Sequence, residues 1–145
     1  MDLPTAVLKL LPTPEAKSST AGPDFARASR RGSGGDDLVT VMAKIDRGMI
    51  DGSEYSAAIK RWEAIAGPAP HPIEINDNGK PRLAAAFSEW MLGWPEGWVT
   101  DMVIETGPGR RAPEGFISRT EALRMVGNGV CSRQAEQALL DLLSA

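Results

Sequence analysis

The chain has 145 residues, with 16 Lys and Arg against 19 Asp and Glu for a formal net charge of −3. Such a length suits one small domain, at most one with a tail, and the slightly acidic balance excludes a global basic field that would draw the chain to nucleic acid or anionic membrane. No apolar run reaches the ~18–20 residues of a membrane span, and a single cysteine (Cys131) with a single histidine (His71) excludes an internal disulfide and a Cys/His zinc site.

The start of the chain carries Asp2 where a signal peptide is basic, and Pro4 interrupts its apolar run, so the expected address is the cytoplasm. Residues 1–35 read as a flexible tail. From Pro12 onward this stretch is polar and broken by Pro and Gly, and it holds too little apolar surface to offset the entropy of ordering. Residues 36–145 read as a small helical domain. Asp36 or Asp37 suits an N-cap, Leu38, Val41, Met42 and Ile45 follow at helical spacing, and Gly48 ends the run.

A second helix is expected from Ser53 to Ile65, with Tyr55, Ile59, Trp62 and Ile65 as one apolar stripe closed by Gly67. Residues 67–81 form a proline-rich link with a turn at Asn78–Gly79. A third helix runs about Leu83 to Leu92 and is stopped by Gly93 and Pro95. Residues 100–117 are poorly patterned, with a flexible loop from Gly107 to Pro113. Ser118 or Thr120 caps a short helix through Val126, and Ser132 caps the last, whose apolar face is Ala135, Ala138, Leu139 and Leu142. No pair of segments alternates well enough to predict a strand pair. The fold class is therefore mainly α: a small single domain of about four or five short helices with long irregular loops and a disordered N-terminal tail.

Two readings attach to side chains directly. Arg30 and Arg31 (with Arg27), Lys80, Arg82, Arg110 and Arg111 are the candidates for phosphate contact. Trp90, Trp94 and Trp98, spaced by four, are candidates for a partner-binding surface or for packing in the core. His71 reads as a loop residue, Asp36 and Asp37 as capping residues rather than metal ligands, and Cys131 as a small packing residue.

The segment from Arg82 to Trp98, followed by Gly127-Asn-Gly-Val130 before a helix, resembles the last two motifs of bacterial and phage DNA cytosine-C5 methyltransferases. The first is usually written Leu-Thr-x-x-Glu-x-x-Arg-x-x-Gly-Phe-Pro; Leu83, Met91, Gly93, Trp94 and Pro95 fall at matching spacing. The second is Gly-Asn-x-Val, matched by Gly127, Asn128, Gly129 and Val130, with Gln134 and Ala135 where relatives often read Gln-Gln-Ala. Less specific likeness to phage members extends through Leu10–Pro14, Asp36–Thr40 and Ala58–Glu63. The chain departs from the pattern at Phe87 and Trp90, where the family has Glu and Arg, and at Cys131-Ser-Arg-Gln134.

In complete members the closing turn lies beside the S-adenosylmethionine pocket. The resemblance thus implies that Gly127, Asn128, Gly129 and Val130 touch that cofactor only when a catalytic partner is present. Gly127 and Gly129 are expected to supply positive φ and close backbone approach. The chain shows no Phe-x-Gly-x-Gly cofactor loop, Pro-Cys nucleophile or Glu-Asn-Val, and cytosine C5 attack needs a thiolate and a nearby carboxylic acid. No catalytic residue and no metal ligand is assigned, and methylation by the chain alone is not expected.

The leading expectation is a methyltransferase-like C-terminal fragment, DNA-binding or the non-catalytic subunit of a split cytosine methyltransferase. The alternative is a phage-type interaction protein that binds and modulates a host protein without catalysis. A last helix left without an internal partner distinguishes the first, and a homodimer is a further way to cover it. An independent small enzyme lacks any acid–base or nucleophile constellation.

Overall fold

The computed structural model describes residues 11–107 and 109–144. The signal-peptide reading, the first ten residues of the expected tail, Leu10 of the phage-like segment and Pro108 of the Gly107–Pro113 loop lie outside the described residues. The fold is mainly α. Its contacts divide it into two compact units, one built mainly from Gly22–Leu83, the other from Pro14–Ala21 together with Ala84 onward.

In the first unit, helix α1 spans Leu38–Asp46. Asp37 is its N-cap, accepting the Thr40 N–H at 3.1 Å. Six successive residues from Leu38 to Ala43 are buried, so α1 forms the centre of this unit and not a surface stripe. Gly48, at φ +65, turns the chain out of the helix. Helix α2, Ser53–Ala66, keeps only Tyr55 of its expected stripe buried; Ile65 is exposed. Its start is held by Asp51, which accepts from the Ser53 N–H at 2.9 Å and from its hydroxyl at 2.6 Å. Those bonds hold the Asp51 carboxyl below its ordinary range.

The expected absence of strand pairs is corrected by the structure. Ile73–Ile75 (β1) and Pro81–Leu83 (β2) pair antiparallel, Ile73 opposite Leu83 and Ile75 opposite Pro81, and both pack on α1. Three-residue strands carry too short an alternation to be read from sequence. The signal lies in the loop: the Asn76 side chain accepts the N–H groups of Asn78 at 3.0 Å and Lys80 at 2.9 Å, and Gly79 takes φ +71.

Residues 12–35, expected as a mobile tail, are tied down in both units. The Asp24 N–H donates to the buried Thr40 hydroxyl at 2.9 Å, Arg27 donates to the Gly35 carbonyl at 2.8 Å, and Arg47 lies over the Phe25 ring. In the second unit a 3-10 turn, Ala16–Ser19, buries Ser18 and Ser19 and packs on helix α4.

That unit contains α3 (Ala85–Met91), α4 (Arg119–Gly127) and α5 (Ser132–Leu143). Ser118 and Glu121 form a reciprocal capping box at the start of α4. The core comprises Phe87, Trp90, Val99, Ala122, Leu123 and Val126. The unpatterned stretch between α3 and α4 is closed by backbone bonds, Ile104 N–H to the Ile117 carbonyl at 3.0 Å and Ile117 N–H to that of Met102 at 2.9 Å.

Candidate functional site

The two motif segments meet in the second unit, through residues 36 positions apart in the chain. Helix α3 ends at Met91, and Gly93, just past its C-cap Leu92, takes a φ of +68 that turns the backbone out of the helix. The Trp94 indole N–H then donates to the Val130 carbonyl at 3.0 Å. Ser132 binds back, its hydroxyl donating to the Gly93 carbonyl at 3.3 Å. It therefore does not cap the last helix as expected: Cys131 is the N-cap and makes no side-chain cap bond.

Both glycines of the turn are explained by contact, not by conformation. Neither Gly127 nor Gly129 has positive φ, which corrects half of the sequence expectation. A Cβ on Gly127 would lie 2.2 Å from the backbone nitrogen of Ala16, and one on Gly129 would lie 2.4 Å from the Trp94 ring. Gly127 is the last residue of α4, Asn128 is its exposed C-cap and Val130 is exposed. Placed so, the four residues connect two helices and present a polar amide and an apolar side chain outward.

Helix α5 follows at once, and every one of its residues is exposed. Leu139, Leu142 and Leu143 have relative exposures of 59%, 75% and 85%. Ala135, Leu139 and Leu142 recur at i, i+4 and i+7, so this is a true helical face, and none of its residues is buried among the described residues. An apolar face of this kind on a surface marks an interaction site.

The three tryptophans do not form one surface. Trp90 is buried and stacks on Phe87 at 5.6 Å between ring centroids. Trp94 serves the motif junction, and Trp98 stands exposed at 66%. The positions where the resembled family carries Glu and Arg thus hold an aromatic pair inside the core.

The side chain missed by sequence reasoning is Glu89, only 2% exposed. Its carboxylate accepts the N–H groups of Gly97 at 3.2 Å, Val99 at 2.5 Å and Thr100 at 3.3 Å, and the Thr100 hydroxyl at 2.8 Å. A buried carboxylate with four donors is satisfied without a cation. An acid between Ser88 and Trp90 in an otherwise apolar helix, shortly before Pro95-Glu-Gly97, was the available signal.

The basic candidates are split between the units. Arg30, Arg31, Lys80 and Arg82 belong to the first, Arg110 and Arg111 to the second. Arg30 pairs with Asp24, and Arg82 pairs across the hairpin with Glu74 at 2.7 Å. Arg31, Lys80, Arg110 and Arg111 are exposed. His71, on the loop before β1, lies 3.6 Å from Asp46. Among the described residues no group of three or more His, Cys, Asp or Glu is placed to hold a metal ion, and no helix is long and apolar enough to cross a membrane.

Comparison of the chain with known protein families, with curated proteins and with solved structures finds no match.

Proposed function

We propose that the chain acts as the C-terminal, non-catalytic part of a split cytosine-C5 methyltransferase, with a second chain supplying the cofactor loop and nucleophile. The observation that carries this reading is α5: an amphipathic helix, exposed along its whole length, directly behind the Gly127–Val130 turn. A free-standing domain buries such a face within itself, whereas a fragment of a larger assembly leaves it for the missing part. The mutual bonding of Gly93, Trp94, Val130 and Ser132 supports the same reading, because the residues that resemble the two motifs are those that touch. S-adenosylmethionine would then meet Gly127–Val130 only in the assembled enzyme, and any DNA contact would fall to Arg31, Lys80, Arg110 and Arg111.

The test is affinity co-purification of the tagged chain from its native cells, with partners identified by mass spectrometry. Recovery of a chain with a Pro-Cys motif and a Phe-x-Gly-x-Gly loop, lost when Leu139 and Leu142 are changed to Glu, supports the split enzyme. A second reading, a phage-type factor that binds a host protein, is favoured by Phe87 and Trp90 having replaced a polar pair with a buried stack. Recovery of an unrelated protein at stoichiometric level would decide for it.

A further inference from the structure

We infer that the loop from Gly93 to Asp101 is a docking point for an arginine-bearing segment of a partner protein, with the guanidinium seated on the exposed face of Trp98. This goes beyond the reading built on α5 and does not depend on it, since no residue of that helix takes part. Three observations carry it.

First, Trp98 is presented and not merely left outside. Its backbone N–H donates to the Pro95 carbonyl at 3.1 Å, Val99 next to it is buried, and the Glu89 carboxylate binds the backbone at Gly97, Val99 and Thr100. The ring is thus exposed on a backbone fixed on both sides, and a preorganised aromatic anchor loses little freedom on binding.

Second, the charge along this stretch of the chain has one sign. From Leu83 to Gly109 the sequence contains no Lys, Arg or His but four acids, Glu89, Glu96, Asp101 and Glu105. Glu89 is consumed by its four donors, while Glu96 and Asp101, within three residues of the ring, are exposed.

Third, Asp101 is part of the loop's own geometry. Asp101 donates its N–H to the Gly97 carbonyl at 3.1 Å, and its carboxylate lies so close that a Cβ on Gly97 would sit 2.5 Å from Oδ2. An aromatic face among carboxylates attracts a planar cation through both the ring quadrupole and the ionic field. The same field repels a phosphate backbone, so stacking on an unpaired base is disfavoured here.

The experiment follows the indole N–H resonance of Trp98 in the full-length chain labelled with nitrogen-15, assigned by its loss in Trp98→Phe. The probes are hexa-arginine, oligothymidylate and the chain's own concentration. The expected result is a shift with hexa-arginine alone. Affinity for the peptide, read by titration calorimetry so that variants without the indole can be compared, should fall about tenfold in Trp98→Ala and less in Trp98→Phe. A double change, Glu96→Gln with Asp101→Asn, should weaken it about threefold or more. Unchanged affinity in Trp98→Ala would mean that the peptide merely follows net charge and would overturn the proposal. So would an indole that responds to oligothymidylate, one that responds to self-association, or one that does not move at all. Unshifted amides at Phe87 and Leu123 in each variant establish that the core has kept its fold.

Discussion

Single atoms decide much of this molecule. Gly127 and Gly129 are required because a methyl group has nowhere to go at 2.2 Å from Ala16 N and 2.4 Å from the Trp94 ring. Gly127→Ala is expected to cost about 2–3 kcal/mol, since its neighbour is backbone and cannot rotate away. Gly129→Ala should cost less if the indole gives way, and should break the Trp94–Val130 bond in doing so. Gly109→Ala is the control: its φ is +72 but nothing lies within 4 Å of a new Cβ, so only the backbone term of about 1 kcal/mol applies. Urea midpoints of the three variants check the order. Glu89→Gln, which turns an acceptor oxygen into a donor facing backbone N–H groups, should lower stability by about 2–4 kcal/mol. It should also broaden the backbone resonances of Gly97–Thr100.

Among the elements, α4 and α5 differ most in how they are held. Helix α4 has a capping box, and its buried face of Ala122, Leu123 and Val126 packs on α3 and on the Ala16–Ser19 turn. Helix α5 has no side-chain cap and no buried residue, and an isolated helix of this length is marginal in water. Amides of Ser132–Leu143 in the monomer are therefore expected to exchange with solvent much faster than those of Ala122–Val126, as hydrogen exchange would read. Strong protection of α5 would mean that it is covered. The capping box also gives α4 a pH dependence. The Ser118 N–H and hydroxyl, each 2.8 Å from Glu121 Oε2, hold that carboxyl below its ordinary range. A depressed folded value contributes stability above the unfolded value and loses it as pH falls through the folded one. Glu121→Gln should flatten the acid limb of the Tm against pH curve, and Ser118→Ala should cost about 1 kcal/mol at neutral pH.

At the scale of the whole molecule, the balance of charge limits what the chain does alone. Its net charge is −3, and Arg27, Arg30, Lys44 and Arg82 are engaged with acids of the chain itself. The free chain is expected to bind duplex DNA no tighter than about 100 μM at physiological salt, as fluorescence anisotropy would measure. Sub-micromolar binding would overturn this expectation. The two units also have separate cores, one around α1 and the hairpin, one around α3 and α4.

The helices were legible in the sequence because their signals are local. Asp37 sits immediately before apolar residues at helical spacing, Ser118 opens the turn that precedes Ala122, Leu123 and Val126, and Gly48, Gly67 and Gly93 stop the runs at positive φ, which their own chemistry permits. The mainly α class and the apolar face of α5 follow from the same local order. What only the tertiary structure decided depends on distance through space. The ordering of residues 12–35 rests on bonds such as Asp24 to Thr40, the meeting of Trp94 with Val130 spans the chain, and the roles of Trp90, Trp94 and Trp98 diverge although their spacing is regular. Burial, not composition, makes Glu89 the organiser of its loop. A sequence states which groups are present along a line, but the free energy of a charge, a ring or a missing methyl group is set by what surrounds it.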